Sequence, residues 1–319
     1  MTRTNLSLIA TIALALPLSL LAGRVWIDPF HPALAAAPAI LFELRLPRGV
    51  LALVVGAGLG GTGAAMQGYL RNPLADPGLF GIAPGAALGA VLALLTGAGA
   101  AYAVPLAALI GAGLAMALLA LIAGRTAGIT LFTLAGLMIA SVAGTLTSLA
   151  ISLAPNPFAL SEIVTWLMGA LTDRGWPEVW IAAPPTLVGL LVLAWAGRAL
   201  DALTLGEDAA RSLGVEPRRV QALMIVGVGL TVGAGVAVAG IIGFVGLIVP
   251  HLVRRFTDRR PSRLIVPSAL AGALLVLIAD MLCRVLPLAG GELRLGIGMS
   301  LLGGPFFLAL LLHMRRGLA

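Results

Sequence analysis

Apolar runs of membrane-crossing length, each closed by a short polar or proline-bearing break, recur from one end of the chain to the other. They fall at about residues 5–23, 47–69, 80–95, 102–123, 131–153, 177–196, 219–240, 242–254, 264–286 and 295–313. A helix needs roughly 20 apolar residues to cross the hydrocarbon core, so this spacing predicts an all-α, polytopic membrane protein with about ten transmembrane helices. No stretch reads as a separate soluble unit, and residues 1–319 are read as a single transmembrane domain. The first run follows Arg3 in the manner of a secretion signal. Gly23-Arg24-Val25-Trp26 is a poor small-residue cleavage site, however, and further spans follow, which favours a retained first helix.

Three polar segments interrupt the simple pattern. Residues 71–77 (RNPLADP) close the second run; their prolines restrict the backbone and Asn72 offers both a donor and an acceptor. Residues 159–170 follow a Pro-Asn-Pro break and are too short to span, which predicts a re-entrant or interfacial helix on the outer side. The longest polar loop, 201–219, places Glu207 and Asp208 in a first helical turn, Arg211 towards the end and Gly214 at a C-cap position. That order complements a helix dipole, so a short amphipathic helix is expected there. Its small apolar face (Ala209, Ala210, Leu213) must meet either the protein's own inner surface or a partner, and the pattern leaves both open.

Composition agrees with a membrane solvent: 60% of residues are hydrophobic and 10% charged, against roughly 25% charged in soluble domains. Mean hydropathy is +1.08. Every basic residue is arginine, and the loops divide them unequally. Arg3, Arg71, Arg125, Arg198, Arg211, Arg218, Arg219, Arg254, Arg255, Arg259, Arg260, Arg263, Arg315 and Arg316 fall on one side; Arg24, Arg45, Arg48, Arg174, Arg284 and Arg294 fall on the other. The positive-inside tendency makes the first side cytoplasmic, with both termini there. The net charge of +7 is thus a consequence of topology, and no nucleic-acid partner is inferred.

Glycine clusters at 56, 58, 60, 61 and 63 and again at 227, 229, 233 and 235 suit close helix packing in lipid. The G-x-G-x-x-G match at 58–63 lies inside an apolar span with no preceding strand, so it is not a dinucleotide loop. Pro47-Arg48-x-Val50-x-Ala52-Leu53 recurs as Pro217-Arg218-x-Val220-x-Ala222-Leu223, in spans of opposite direction, which suggests an inverted repeat of spans two to five and seven to ten. The single cysteine, Cys283, excludes intrachain disulfides. His31, His251 and His313 are scattered without metal-ligand spacing, so no metal site is expected. Without lysine the chain has no G-x-x-x-x-G-K-[ST] phosphate loop.

Residues 45–48 (RLPR), 55–67 (VGAGLGGTGAAMQ), 71–77, 205–215 (LGEDAARSLGV), 243–255 (GFVGLIVPHLVRR) and 303–307 (GGPFF) together resemble the permease subunits of type II ABC importers. That group serves vitamin B12, heme and ferric siderophores. The resemblance implies ten helices per subunit and a homodimer or related heterodimer with the pathway at its interface. It also implies two cytoplasmic ATPase subunits that use the ATP, a periplasmic binding protein, and a bacterial inner membrane. Carried over by position, Arg45, Arg48 and Arg284 would receive acidic side chains of the binding protein. Asn72 and Leu74 would form one cytoplasmic constriction, Ile129 and Thr130 a second. Glu207, Asp208, Ala209, Ala210, Arg211, Ser212, Leu213 and Gly214 would be the coupling helix that docks on the ATPase. The chain itself is expected to bind no cofactor and to catalyse nothing.

Two other classes fit less well. An ion-coupled secondary transporter should carry ionisable groups at mid-membrane, whereas Asp280 lies near an outer helix end with Arg284 four residues on, spaced for a local pair. An enzyme would need convergent catalytic groups, which this sequence does not gather. The expected cargo is an iron(III) chelate, siderophore or heme, with cobalamin as the alternative, and Arg174 beside Trp176 is a candidate contact for an anionic group at the outer mouth.

Overall fold

The computed structural model describes residues 3–23, 26–27, 37–97, 102–124, 128–286 and 291–316. Arg24, His31 and Arg125 lie outside them. The described residues form helices α1 (Arg3–Leu21), α2 (Leu46–Tyr69, entered through a π-helical stretch, Ile40–Arg45), α3 (Ile82–Leu95), α4 (Ala103–Ala123), α5 (Ile129–Ser152) and α6 (Pro157–Leu167). They continue with α7 (Trp176–Leu203), α8 (Glu207–Ser212), α9 (Pro217–Ala239), α10 (Val245–Val253), α11 (Pro261–Val285) and α12 (Leu295–Arg316).

Eight of these helices are long and apolar enough to cross a membrane. The expected spans at 80–95 and 242–254 are built differently, because α3 has 14 residues and α10 only 9. At 1.5 Å per residue these reach about 21 and 14 Å, short of the ~30 Å core. Non-helical backbone supplies the rest. Before α3 the chain runs through the 3₁₀ turn Pro77–Phe80 to Gly81 at φ 79°; before α10 it turns at Gly240 (φ 69°) and Phe244 (φ 68°). The two interruptions meet where Pro77 packs on Gly246. Among the described residues, eight helices of crossing length and these two interrupted segments account for the roughly ten spans expected.

Backbone freed by a break inside a membrane must find partners within the protein. Ala170 N–H donates to Ala239 O at 2.8 Å, Gly296 N–H to Gly169 O at 3.0 Å and Gly78 N–H to the Asp76 carboxylate at 2.8 Å. The first two bonds fix the loop after α6 to the end of α9 and the start of α12.

Hydrogen bonds between helix ends sort the faces. Thr4 Oγ1 donates to Phe256 O and Ser262 N–H to Asp201 Oδ1, placing the start of α1, the end of α7, the end of α10 and the start of α11 together on the arginine-rich face. Arg45 Nη1 donates to Leu20 O and Leu21 O, and Trp176 Nε1 to Phe42 O, on the opposite face. The first and last helices therefore begin and end on the same face.

Helices α2 and α9 form the centre: 78% of the most apolar window of each of these crossings is buried, against 6% for α1. The glycines explain how they fit. A Cβ on Gly56 or Gly60 would collide with the α11 backbone at Gly272 and Ser268, and one on Gly63 with Gly246. The two central helices are tied by Thr62 Oγ1 and Thr231 Oγ1, 2.6 Å apart and buried. They run in opposite directions, and each is followed by a broken crossing and two continuous ones, which is the inverted repeat expected from the sequence.

Candidate functional sites

On the face opposite the arginine-rich one, two of the three expected docking arginines, Arg48 and Arg284, converge on Asp280, while Arg45 donates to Leu20 O and Leu21 O. Arg48 donates from Nε and Nη2 to Asp280, at 2.9–3.1 Å, and from Nη1 to Glu292 Oε2 at 2.8 Å. Arg284 Nε lies 3.1 Å from Asp280 Oδ2, and its Nη1 reaches Ala22 O at 3.4 Å. An exposed rim of positive charge is therefore not what the structure shows. Arg48 and Arg284 are buried and Arg45 is half-buried, because Asp280, itself wholly buried, draws the two guanidiniums inward. Among the described residues, Arg48 and Arg284 share Asp280, and Glu292 takes a second bond from Arg48. Arg284 Nη2 is buried without a protein partner.

Beside this cluster a cavity of about 520 Å³ opens between α6, α7 and the ends of α3 and α9, lined by Arg174, Arg294, Glu162, Asp173, Glu178 and Trp166 among others. Burial pushes the Arg174 guanidinium down, opposed by Glu178 and Asp173. Basic and acidic groups mix here. Thr172 joins the two regions by donating to Glu292 Oε2 at 3.4 Å.

On the arginine-rich face the expected constriction residues sit in two segments. Asn72 and Leu74 lie in the turn after α2, where Asn72 Oδ1 accepts from Leu74 N–H at 2.9 Å. Ile129 and Thr130 open α5, the first half-buried and the second exposed. Three aromatic rings connect the segments. Phe132 stands edge-on to Tyr69 at 5.3 Å and tilted against Phe80 at 5.5 Å. The sequence reading passed over this trio, and spacing could not have revealed it, since its members come from different elements.

The 201–219 loop forms the predicted helix, α8. Gly206 (φ 105°) and Gly214 (φ 81°) bracket it, and Gly214 N–H and Val215 N–H close it on Arg211 O and Ala210 O. Its apolar face is divided between the chain's own core and the surface. Ala210 is wholly buried in the chain's own core, while Leu213 is 65% exposed. Ile129, Glu207, Arg211 and Tyr69 all border one recess beneath it.

A second feature absent from the sequence reading lies on α5. Ser141, Thr145, Ser148 and Ser152 share one exposed face, and the last three donate back to carbonyls of the preceding turn. Their spacing of four, three and four residues was the signal that would have found them.

A sequence profile described as the FecCD transport family matches residues 10–313. The chain belongs to the FecCD transport family. This FecCD permease is 38% identical over 320 residues to the vitamin B12 import system permease protein BtuC of Salmonella typhimurium strain LT2, covering 98% of this chain and 96% of that one. The BtuC protein of Salmonella paratyphi A strain ATCC 9150 is similar to the same extent. Among solved structures, one described as an inward-facing metal-chelate type ABC transporter superposes with a TM-score of 0.89 at 30% identity, covering 97% of this chain and 98% of that one. The FecCD chain is thus a multi-pass permease subunit of an ABC importer, which replaces the ion-coupled alternative. Such a subunit implies ATPase and binding-protein partners.

Proposed function

We propose that this chain is the permease of a vitamin B12 importer, passing cobalamin from a periplasmic binding protein into the bacterial cytoplasm. The supporting observation is the end-to-end identity of 38% with permeases named for that substrate. This reverses the order drawn from the sequence, where an iron(III) chelate led. The iron-chelate reading keeps one support, the 0.89 TM-score to a transporter of the metal-chelate type.

Two copies would face each other across the hydroxyl side of α5, since a polar stripe suits water between subunits better than lipid. The arginine-rich face is cytoplasmic in this reading, with both termini there. The chain binds no cofactor of its own, and two ATPase subunits use the ATP. Leu213 and the exposed side of α8 meet the ATPase, while Ala210 ties that contact to the body. Asn72 with Leu74 and Ile129 with Thr130 close the inner end. At the outer end Arg45, Arg48 and Arg284 together present the positive region that meets carboxylates of the binding protein.

The test is uptake in a cell lacking its own vitamin B12 permease, with this chain supplied together with its cognate ATPase and binding protein. Accumulation of labelled cobalamin, but not of ferric siderophores or heme, is expected. Accumulation of an iron chelate without cobalamin would overturn the assignment.

A further inference from the structure

At the inner ends of α2, α7 and α11 a recess of about 190 Å³ is lined by Arg71, Arg254, Arg259, Gln67, Thr204 and Pro261, with no carboxylate in its wall. Neighbouring acids are engaged elsewhere. Asp201 accepts from both Ser262 N–H and Ser262 Oγ, capping α11, and Asp258 lies 3.8 Å from Arg260. Among the described residues, three guanidiniums therefore border the recess with no carboxylate beside them in its wall. Arg254 is half-buried, so water screens its charge less than that of the exposed Arg71 and Arg259.

The arrangement is built rather than incidental. Gln67 is buried and donates from Nε2 to Gly246 O at 3.2 Å, which turns its Oε1 to accept from Arg254 Nη2 at 2.8 Å and holds that guanidinium in place. Arg71 occupies the residue after the α2 C-cap at φ 52°, with its N–H on Gly68 O and Asn72 N–H on Gln67 O. Helices closed by this bond pattern place glycine there, because the left-handed conformation costs any other residue. Arg259 carries the same strain at φ 64°. Two of the four described non-glycine residues with positive φ thus aim arginines at one recess.

We propose that this recess binds a phosphate group, presented by an anionic phospholipid of the leaflet on the arginine-rich face. A phosphodiester supplies the missing negative charge and accepts from several guanidinium donors at once. The recess lies where membrane-crossing helices end, which is the depth of lipid headgroups, and basic pockets between such ends suit anionic lipids.

The full-length chain, purified in neutral detergent, is titrated with short-chain phosphatidylglycerol, phosphatidylcholine or inorganic phosphate, and thermal unfolding is followed. Phosphatidylglycerol should protect the natural chain, with apparent affinity falling roughly fivefold for each of Arg71→Gln and Arg259→Gln. Arg255→Gln, which removes an exposed charge outside the recess, should leave it unchanged. Arg71→Gly separates binding from folding: its lipid-free stability should be at least that of the natural chain, because strain is relieved, while its protection by lipid falls. Equal protection by inorganic phosphate would overturn the lipid assignment. Equal affinity in the recess variants, or an equal loss in Arg255→Gln, would overturn the site. So would weakened ATPase-subunit binding in Arg71→Gly with an undiminished lipid response, which would make the recess a seat for an acidic side chain.

Discussion

Asp280 is the residue on which the face opposite the arginine-rich one turns. It is wholly buried and shared by Arg48 and Arg284, so removing its charge leaves two guanidiniums competing for Glu292 alone. Breaking a buried pair by deleting one partner costs about 3–5 kcal/mol. Asp280→Asn should therefore lower the unfolding temperature in detergent markedly, and by more than Arg45→Ala, which removes the two bonds to carbonyls at the end of α1 and should also slow association with the binding protein. Unaltered unfolding in Asp280→Asn would show that the cluster is not a structural clamp. The pair between Asp280 and Arg284 was legible in the sequence, because four residues on a helix bring side chains together. The bond from Arg48 crosses 232 residues of chain, and only a folded structure reveals such a partner. For that reason an arginine that reads as an exposed rim charge proves to be buried.

Individual elements were legible in proportion to how local their causes are. Helix α8 could be predicted because acids, base and terminal glycine mark its ends within a few residues. The broken crossings could not, since a hydropathy pattern is the same for a continuous helix and for a half-helix completed by extended backbone; Gly240 and Pro77 mark breaks only after their packing is known. Two substitutions on the α8 segment separate its roles. Ala210→Glu forces a charge into the core and should reduce folded yield. Leu213→Glu lies on an exposed surface, where changes stay within about 0.5 kcal/mol, so folding should persist while ATPase-subunit binding weakens. A pull-down of the ATPase with each variant checks this, and equal binding by Leu213→Glu would remove α8 from that interface. Between the two candidate gate segments, Phe132→Ala empties a fully buried site, at a cost of about 3–5 kcal/mol, and should leave the inner end leaky to small solutes in vesicles.

At the scale of the whole molecule the repeat and the ten crossings follow from apolar runs, but an exposed apolar helix face looks alike whether it meets lipid or a second copy. The α5 stripe is where the two readings can be separated. Ser141, Thr145 and Ser148 are exposed on a helix that also exposes Leu134 and Met138, and the proposed dimer assigns this face to the second copy. Facing a partner copy across water, they would line the path. The chain offers a clean background for testing this, because its one cysteine, Cys283, is buried and can be replaced by serine. A cysteine at Thr145 should then react with a charged, membrane-impermeant thiol reagent in the assembled transporter, and should react more slowly when cargo is held in the path. A cysteine at Leu191, 62% exposed on α7, should face lipid and stay unreactive towards the same reagent. Reactivity at Leu191 with none at Thr145 would place the second copy against α7 and remove α5 from the pathway.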